Sequence, residues 1–177
     1  MAQTKWAVDV SHSSIDFSIR HMMIAKVKGT FHTFEAEIEA NPADLTTAKI
    51  KFSIDVASVD TRNTDRDNHL RSADFFDVEN MPKMTFEAKQ ITRSDSNEYD
   101  VVGDLTLHGV TRSEKFAVIF EGSGTDPWGN EKVGFSATGA LNRSDYGLTY
   151  NAALETGGIL IGDEVKITIE IEAAKQA

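Results

Sequence analysis

The stretch Val165-Lys166-Ile167-Thr168-Ile169-Glu170-Ile171-Glu172 alternates apolar and polar residues at every step. Successive side chains of a strand point to opposite faces, so this segment has one dry face and one wet face. The same period recurs upstream. Ile15, Phe17 and Ile19 alternate with Asp16, Ser18 and Arg20, and Ala48, Ile50, Phe52, Ile54 and Val56 alternate with Lys49, Lys51, Ser53 and Asp55. Strands that all dry the same side need a sheet that closes on itself or packs on another.

Working outward, the pattern predicts about eight antiparallel strands and little helix. A first strand covers Trp6 to His21, with a break near Ser11-His12. A second runs from Val27 to Ala40. There Val27, Gly29 and Phe31 share one parity and Phe34, Ala36 and Ile38 the other, which a bulge near His32-Thr33 reconciles. Asn41-Pro42-Ala43-Asp44 reads as a turn before a third strand, Ala48 to Val59. One short helix is expected from Asn63 to Ser72, with Thr64 and Asp67 as a capping box. Asp65–His69 and Asp67–Arg71 are spaced as local helix supports. Lys83 to Ile91 turns Met84, Phe86 and Ala88 inward, and Tyr99 to Gly109 does the same for Val101, Gly103, Leu105 and Leu107. Phe116, Val118 and Phe120 follow. Then come a glycine-rich loop at Gly122 to Asn130 and a strand, Val133 to Leu141, with Phe135, Ala137 and Gly139 inward. Gly157-Gly158 reads as a turn. Residues 1–177 are read as one domain.

Composition sets bounds. A formal net charge of −10 argues against nucleic-acid backbones and anionic membrane surfaces as partners, where positive charge would be needed. There are no cysteines, hence no disulfide framework. No apolar run reaches the length of a membrane-spanning helix and no secretory leader precedes Trp6, so a soluble, cytoplasmic protein without membrane insertion is expected. No histidine pair has helical metal-ligand spacing, and no nucleophile triad or phosphate loop stands out; neither cofactor nor metal is expected.

The dry face mixes large residues (Phe17, Phe31, Phe34, Phe52, Phe86, Phe116, Phe135) with small ones (Ala36, Ala88, Gly103, Ala137, Gly139). Interdigitated packing and a ligand cavity both fit that texture.

Local sequences go further than periodicity. Trp6-Ala7-Val8-Asp9 leads into His12-Ser13-Ser14-Ile15-Asp16-Phe17-Ser18-Ile19-Arg20-His21-Met22, followed by Lys28-Gly29-Thr30-Phe31. Arg66-Asp67-Asn68-His69-Leu70-Arg71-Ser72-Ala73-Asp74-Phe75-Phe76-Asp77 comes next, then Val102-Gly103-Asp104-Leu105-Thr106-Leu107-His108-Gly109. Asn142-Arg143-Ser144-Asp145-Tyr146-Gly147 and Gly162-Asp163-Glu164-Val165 close the series. In content, order and spacing, from Trp6 to Ala173, these segments resemble the YceI-like family. That resemblance implies an all-β, lipocalin-like antiparallel barrel with an internal hydrophobic tunnel. It implies as ligand a polyisoprenoid, an isoprenoid quinone or a fatty-acid-like amphiphile, and it leaves a homodimer open. With no leader in view, a cytoplasmic member is expected.

Candidate ligand contacts follow. Phe17, Phe31, Phe34, Ile38, Phe52 and Ile54 face inward in the first half. Met84, Phe86, Leu105, Phe116, Val118, Phe135 and Ala137 do so in the second. Leu70 joins them from the helix. Of Phe75 and Phe76, an extended segment would turn only one inward. His21, Arg66, His69 and Arg143 are candidate polar contacts for a head group. Each also has a structural reading, and an inward Arg143 needs a partner such as Asp145 or a distant carboxylate.

Three functions compete. A carrier or store of an isoprenoid lipid needs a long dry interior and a few polar groups at its mouth. An enzyme acting on a small isoprenoid or amphiphilic lipid would show a histidine and a carboxylate converging inside. A filled barrel would act only through its surface. The resemblance favours the first.

Overall fold

The computed structural model describes residues 3–151 and 160–176, so the Gly157-Gly158 turn lies outside the described residues. Among these residues, eleven strands and one α-helix follow in order: β1 (Thr4–Val8), β2 (Ser14–His21), β3 (Ala25–Phe31), β4 (Phe34–Asn41), β5 (Asp44–Asp55), β6 (Val59–Asp60), α1 (Thr64–Arg71), β7 (Lys83–Asp95), β8 (Glu98–Leu107), β9 (Val110–Thr125), β10 (Glu131–Asn142) and β11 (Ile161–Lys175). All pairings are antiparallel, in the order β1-β4-β5-β7-β8-β9-β10-β11-β2-β3-β6, and β1 also pairs with β11. That last pairing closes an eight-stranded barrel.

Eleven segments make eight strand paths because three paths are broken where local polar groups capture the backbone. Between β1 and β2 the Asp9 carboxylate accepts from the Ser11 amide and starts a 3-10 turn at Val10–His12. Between β5 and β6 the Asp55 carboxylate accepts from the Ala57 amide and starts another at Val56–Ser58. Between β3 and β4, His32 and Thr33 drop out of the ladder and the inward parity changes there, as the sequence predicts. The breaks bend these paths. Trp6 to Ala7 pairs with the far end of β11, whereas Ile15 to His21 pairs with its beginning.

Other boundaries differ from the sequence reading. The third path starts at Asp44 rather than Ala48 and breaks after Asp55. The Gly122–Asn130 loop shrinks to a turn at Asp126–Asn130, because Gly122, Ser123 and Gly124 stay paired with Gly134, Val133 and Lys132. The helix is capped by Asn63, whose side chain accepts from the Arg66 amide at 3.0 Å, so Thr64 is its first residue and no Thr64–Asp67 capping box forms. Neither predicted helix pair forms: Asp67 turns to Thr61, Arg71 donates to the Ala57 and Val59 carbonyls, and His69 meets Asp74. These contacts dock a mostly polar helix against β6.

One half of the barrel is more tightly packed. Trp6, Ala40, Leu45, Tyr99, Val133 and Ala173 are all buried there, and the Trp6 indole N–H donates to the Ala40 carbonyl at 3.1 Å. Large side chains cover glycines across the pleat. A Cβ on Gly29 would sit 2.4 Å from the Phe17 ring, and one on Gly139 would sit 2.6 Å from the Phe116 ring. The large-and-small texture of the dry face therefore reflects interdigitation in part. The rest is space.

Candidate functional site: an apolar cavity inside the barrel

Two cavities stand out inside among the described residues. The larger, about 470 Å³, is walled by β2, β3, α1 and the start of β11. The smaller, about 130 Å³, lies between β5, β7, β9, β10 and the later part of β11. Ile15, Met84 and Ile167 line both and stand between them.

Every candidate contact from the sequence except Phe34 lines one of these cavities. Phe17, His21, Phe31, Leu70 and Arg143 line the larger one, together with Arg66 and His69. Ile38, Phe52, Ile54, Phe86 and Leu105 line the smaller one, as do Phe116, Val118, Phe135 and Ala137. Met84 faces both. Phe34 is buried but lines neither. Phe75 and Phe76 both wall the larger cavity, contrary to the one-in, one-out expectation, because they sit in consecutive turns rather than on a strand. Phe76 meets Phe31 edge-on at 6.0 Å, and Phe75 packs on His69 and Tyr150 at 4.9 and 5.1 Å.

Polar groups gather at one end. His21 pairs with Ile161 at the start of β11, Arg143 reaches the neighbouring backbone, and His69 contacts Tyr150 at 4.8 Å. Most are committed to the protein. Arg66 donates to the Thr61 hydroxyl and carbonyl, both at 2.7 Å. Asp67 accepts from the Thr61 amide at 2.9 Å and from its hydroxyl at 2.5 Å. The His69 imidazole bonds Asp74 at 2.9 Å, with both side chains well exposed.

Arg143 is buried; Asp145 is not its partner, the distant carboxylate Asp163 is within ion-pair reach, and backbone carbonyls take its hydrogen bonds. Its guanidinium donates to the carbonyls of Leu148 at 2.6 Å, Gly162 at 2.8 Å and Ile161 at 3.4 Å, while Asp163 stands 4.0 Å away. Asp145 instead faces Arg112. Carbonyl dipoles satisfy the donors, while burial pushes the Arg143 pKa down and Asp163 partly opposes it. Nearby, Tyr146 donates its hydroxyl to Glu114, and burial, reinforced by that carboxylate, pushes its pKa far up.

Some wall residues escaped the sequence reading of the site. Ile15, Ile19, Val165 and Ile167 carry the same period-two signal as Phe17 and were findable from it. Leu148, Tyr150 and Leu160 come from irregular segments with no period to read.

Away from the cavity, Asp9, His12 and Glu172 form a cluster of potential metal ligands. Lys132 lies 3.7 Å from Asp9 and 3.9 Å from Glu172, so a cation from the chain itself offsets part of the group's charge.

A family profile described as YceI-like domain matches residues 6–173. The chain belongs to the YceI-like family. Among its relatives, a UPF0312 protein of Staphylococcus epidermidis is 46% identical over 170 residues, covering 96% of each chain. A UPF0312 protein of Staphylococcus aureus is 42% identical over the same length. The crystal structure of the Campylobacter jejuni YceI protein superposes with a TM-score of 0.77 at 33% identity, over 89% of this chain and 90% of that one. A polyisoprenoid binding domain from Saccharophagus degradans shares the fold, with a TM-score of 0.70 at 14% identity over 98% and 99% of the two chains. No helix among the described residues is long and apolar enough to cross a membrane.

Proposed function

We propose that this chain, acting as one unit, binds a long-chain isoprenoid lipid inside the barrel and stores or carries it. The observation that carries the reading is the apolar cavity of about 470 Å³, whose few polar wall residues include His21, Arg66, His69 and Arg143. Its size is that of a small-molecule site, roughly 300 to 1,000 Å³. Each methylene withdrawn from water contributes about 0.8 kcal/mol, so an apolar tail needs shape more than specific bonds. Family membership supports the same ligand class, as does the fold shared with a protein described as a polyisoprenoid binding domain.

In this reading the hydrocarbon lies along Phe17, Phe31, Leu70, Phe75 and Phe76. Met84, a flexible side chain between the cavities, swings aside to admit the tail toward Phe116 and Ala137. His21 and His69 face the head group, a quinone ring or the hydroxyl of a polyprenyl alcohol. Binding is favoured over catalysis because, among the described residues, the histidine–carboxylate pair at the cavity, His69 with Asp74, is exposed rather than converging inside.

The test is incubation with a long-chain polyprenyl alcohol or an isoprenoid quinone, gel filtration, and solvent extraction of the protein peak. Retention near one lipid per chain supports the reading. A protein peak free of both lipids would sink it.

A further inference from the structure

Met22-Met23-Ile24 joins β2 to β3 and places three consecutive large apolar side chains in water, at 41%, 53% and 81% exposure. The turn closes where the Ile24 amide donates to the His21 carbonyl at 3.2 Å, with Met22 and Met23 both at positive φ, 53° and 61°. Such turns favour asparagine, aspartate or glycine. The β8–β9 hairpin also has two positive-φ residues and uses His108-Gly109. Neither local conformational preference nor burial explains two methionines and an isoleucine at this tip.

Its position ties it to the cavity. The Met22 amide donates to the Leu160 carbonyl at 2.7 Å, and both His21 and Leu160 line the larger cavity. Behind the tip, Arg20, which also borders the larger cavity, pairs across from Lys26, and Ser18 lies between Lys28 and Lys166. All four cations are exposed, and none makes an ion pair among the described residues. From Ser14 to Phe31 the hairpin carries three cations and the single acid Asp16, in a chain of formal net charge −10. Among the described residues, the acids near this end include Asp163, which faces Arg143, Glu164 at the start of β11, and Asp65 and Asp74 around α1.

We propose that this end of the barrel docks on an anionic bilayer. Met22, Met23 and Ile24 enter the headgroup boundary while Arg20, Lys26, Lys28 and Lys166 meet lipid phosphates, which brings the cavity mouth against the acyl region. A small apolar tip ringed by cations suits an interfacial lipid contact. A stable protein–protein contact needs about 800 Å² per partner, far more than one three-residue turn presents. The purpose of the contact, passage of an apolar ligand without crossing water, rests on the lipid-binding reading. The contact itself does not.

The experiment is flotation with vesicles free of isoprenoids, either phosphatidylcholine alone or phosphatidylcholine mixed with phosphatidylglycerol. The turn variant Met22→Asn with Met23→Gly installs residues the turn geometry prefers, so it stays folded. The charge variant is Arg20→Gln with Lys26→Gln. Trp128→Ala is the control, an exposed side chain at the opposite end, where the start of β10 pairs with Ala174. We expect the parent chain to float with the anionic vesicles and the turn variant to lose about tenfold or more of that partitioning. The charge variant loses the preference for anionic lipid, and the control matches the parent. A parent that never floats, or a turn variant that floats equally well, overturns the proposal. So does a dimer, seen by analytical ultracentrifugation, that the turn variant dissolves while vesicle binding is absent. A cavity that retains no isoprenoid would defeat the lipid-binding reading and leave these vesicle results standing.

Discussion

Arg143, at the end of β10, donates to the carbonyl oxygen of Leu148 at 2.6 Å, so a buried cation facing the cavity fastens the segment that follows it. With Gly162 and Ile161 also accepting, this side chain ties the end of β10 to the start of β11. Replacing it by methionine strands several buried carbonyls. We expect Arg143→Met to lose about 3 kcal/mol in urea unfolding, with Arg143→Lys recovering little because lysine lacks the planar fork. If Arg143→Met unfolds like the parent but binds lipid poorly, a head-group role replaces the fastening role.

Ala137 and Gly103 share an inward parity but differ in what lies before them. Ala137 borders the smaller cavity. A Cβ on Gly103 would sit 2.3 Å from the Glu87 carbonyl oxygen and 2.9 Å from the Ala88 Cα, against backbone that cannot give way. Ala137→Trp should fold and shorten the longest tail accepted, read by competition among chain lengths. Gly103→Ala should cost about 2 kcal/mol of stability. Equal stability for Gly103→Ala and the parent would contradict the close approach.

His69 contacts two aromatic rings and a carboxylate at the cavity's polar end. In His69→Ala, affinity for a polyprenyl alcohol should fall more than affinity for the matching hydrocarbon. Parallel losses for the two ligands would assign His69 to packing alone.

The Asp9–His12 contact of 2.8 Å gives stability a pH dependence. The Asp9 hydrogen bond and charge raise the His12 pKa above its ordinary 6.5, with Glu172 adding to the shift. The folded state therefore holds this proton more tightly. Its contribution is fully present below 6.5 and fades as pH rises through the raised value. Asp9 behaves oppositely. Hydrogen bonds from Ser11 and then His12 hold its pKa well below 3.8, so its contribution is present above that value and is lost only in strong acid. Urea midpoints measured from mildly acidic to mildly alkaline pH should decline, and His12→Gln should flatten the decline. An unchanged slope in His12→Gln would show that other groups set it.

Period-two alternation makes the barrel legible in the residues themselves. It places the break before Ser13 and the parity change at His32-Thr33, because burial on one face leaves a signature at every second residue. The same signal locates Phe17, Phe52, Phe116 and Phe135, all of which line the cavities. It does not separate Phe34, which packs elsewhere, since one parity serves filled core and open space alike. Cavity walls from irregular chain, Leu148 and Tyr150, leave no period to detect. Partner choice is illegible for a related reason: carbonyls can satisfy an arginine as well as a carboxylate can, and nothing in the residues around Arg143 distinguishes the two.

The central claim is that the barrel holds an isoprenoid lipid, and the most direct measurement is the mass of what the purified protein carries. Organic extraction followed by mass spectrometry should return a polyprenyl chain or isoprenoid quinone near one per protein, and less of it from Ala137→Trp. An extract without isoprenoid, still empty after incubation with such lipids, would contradict the claim.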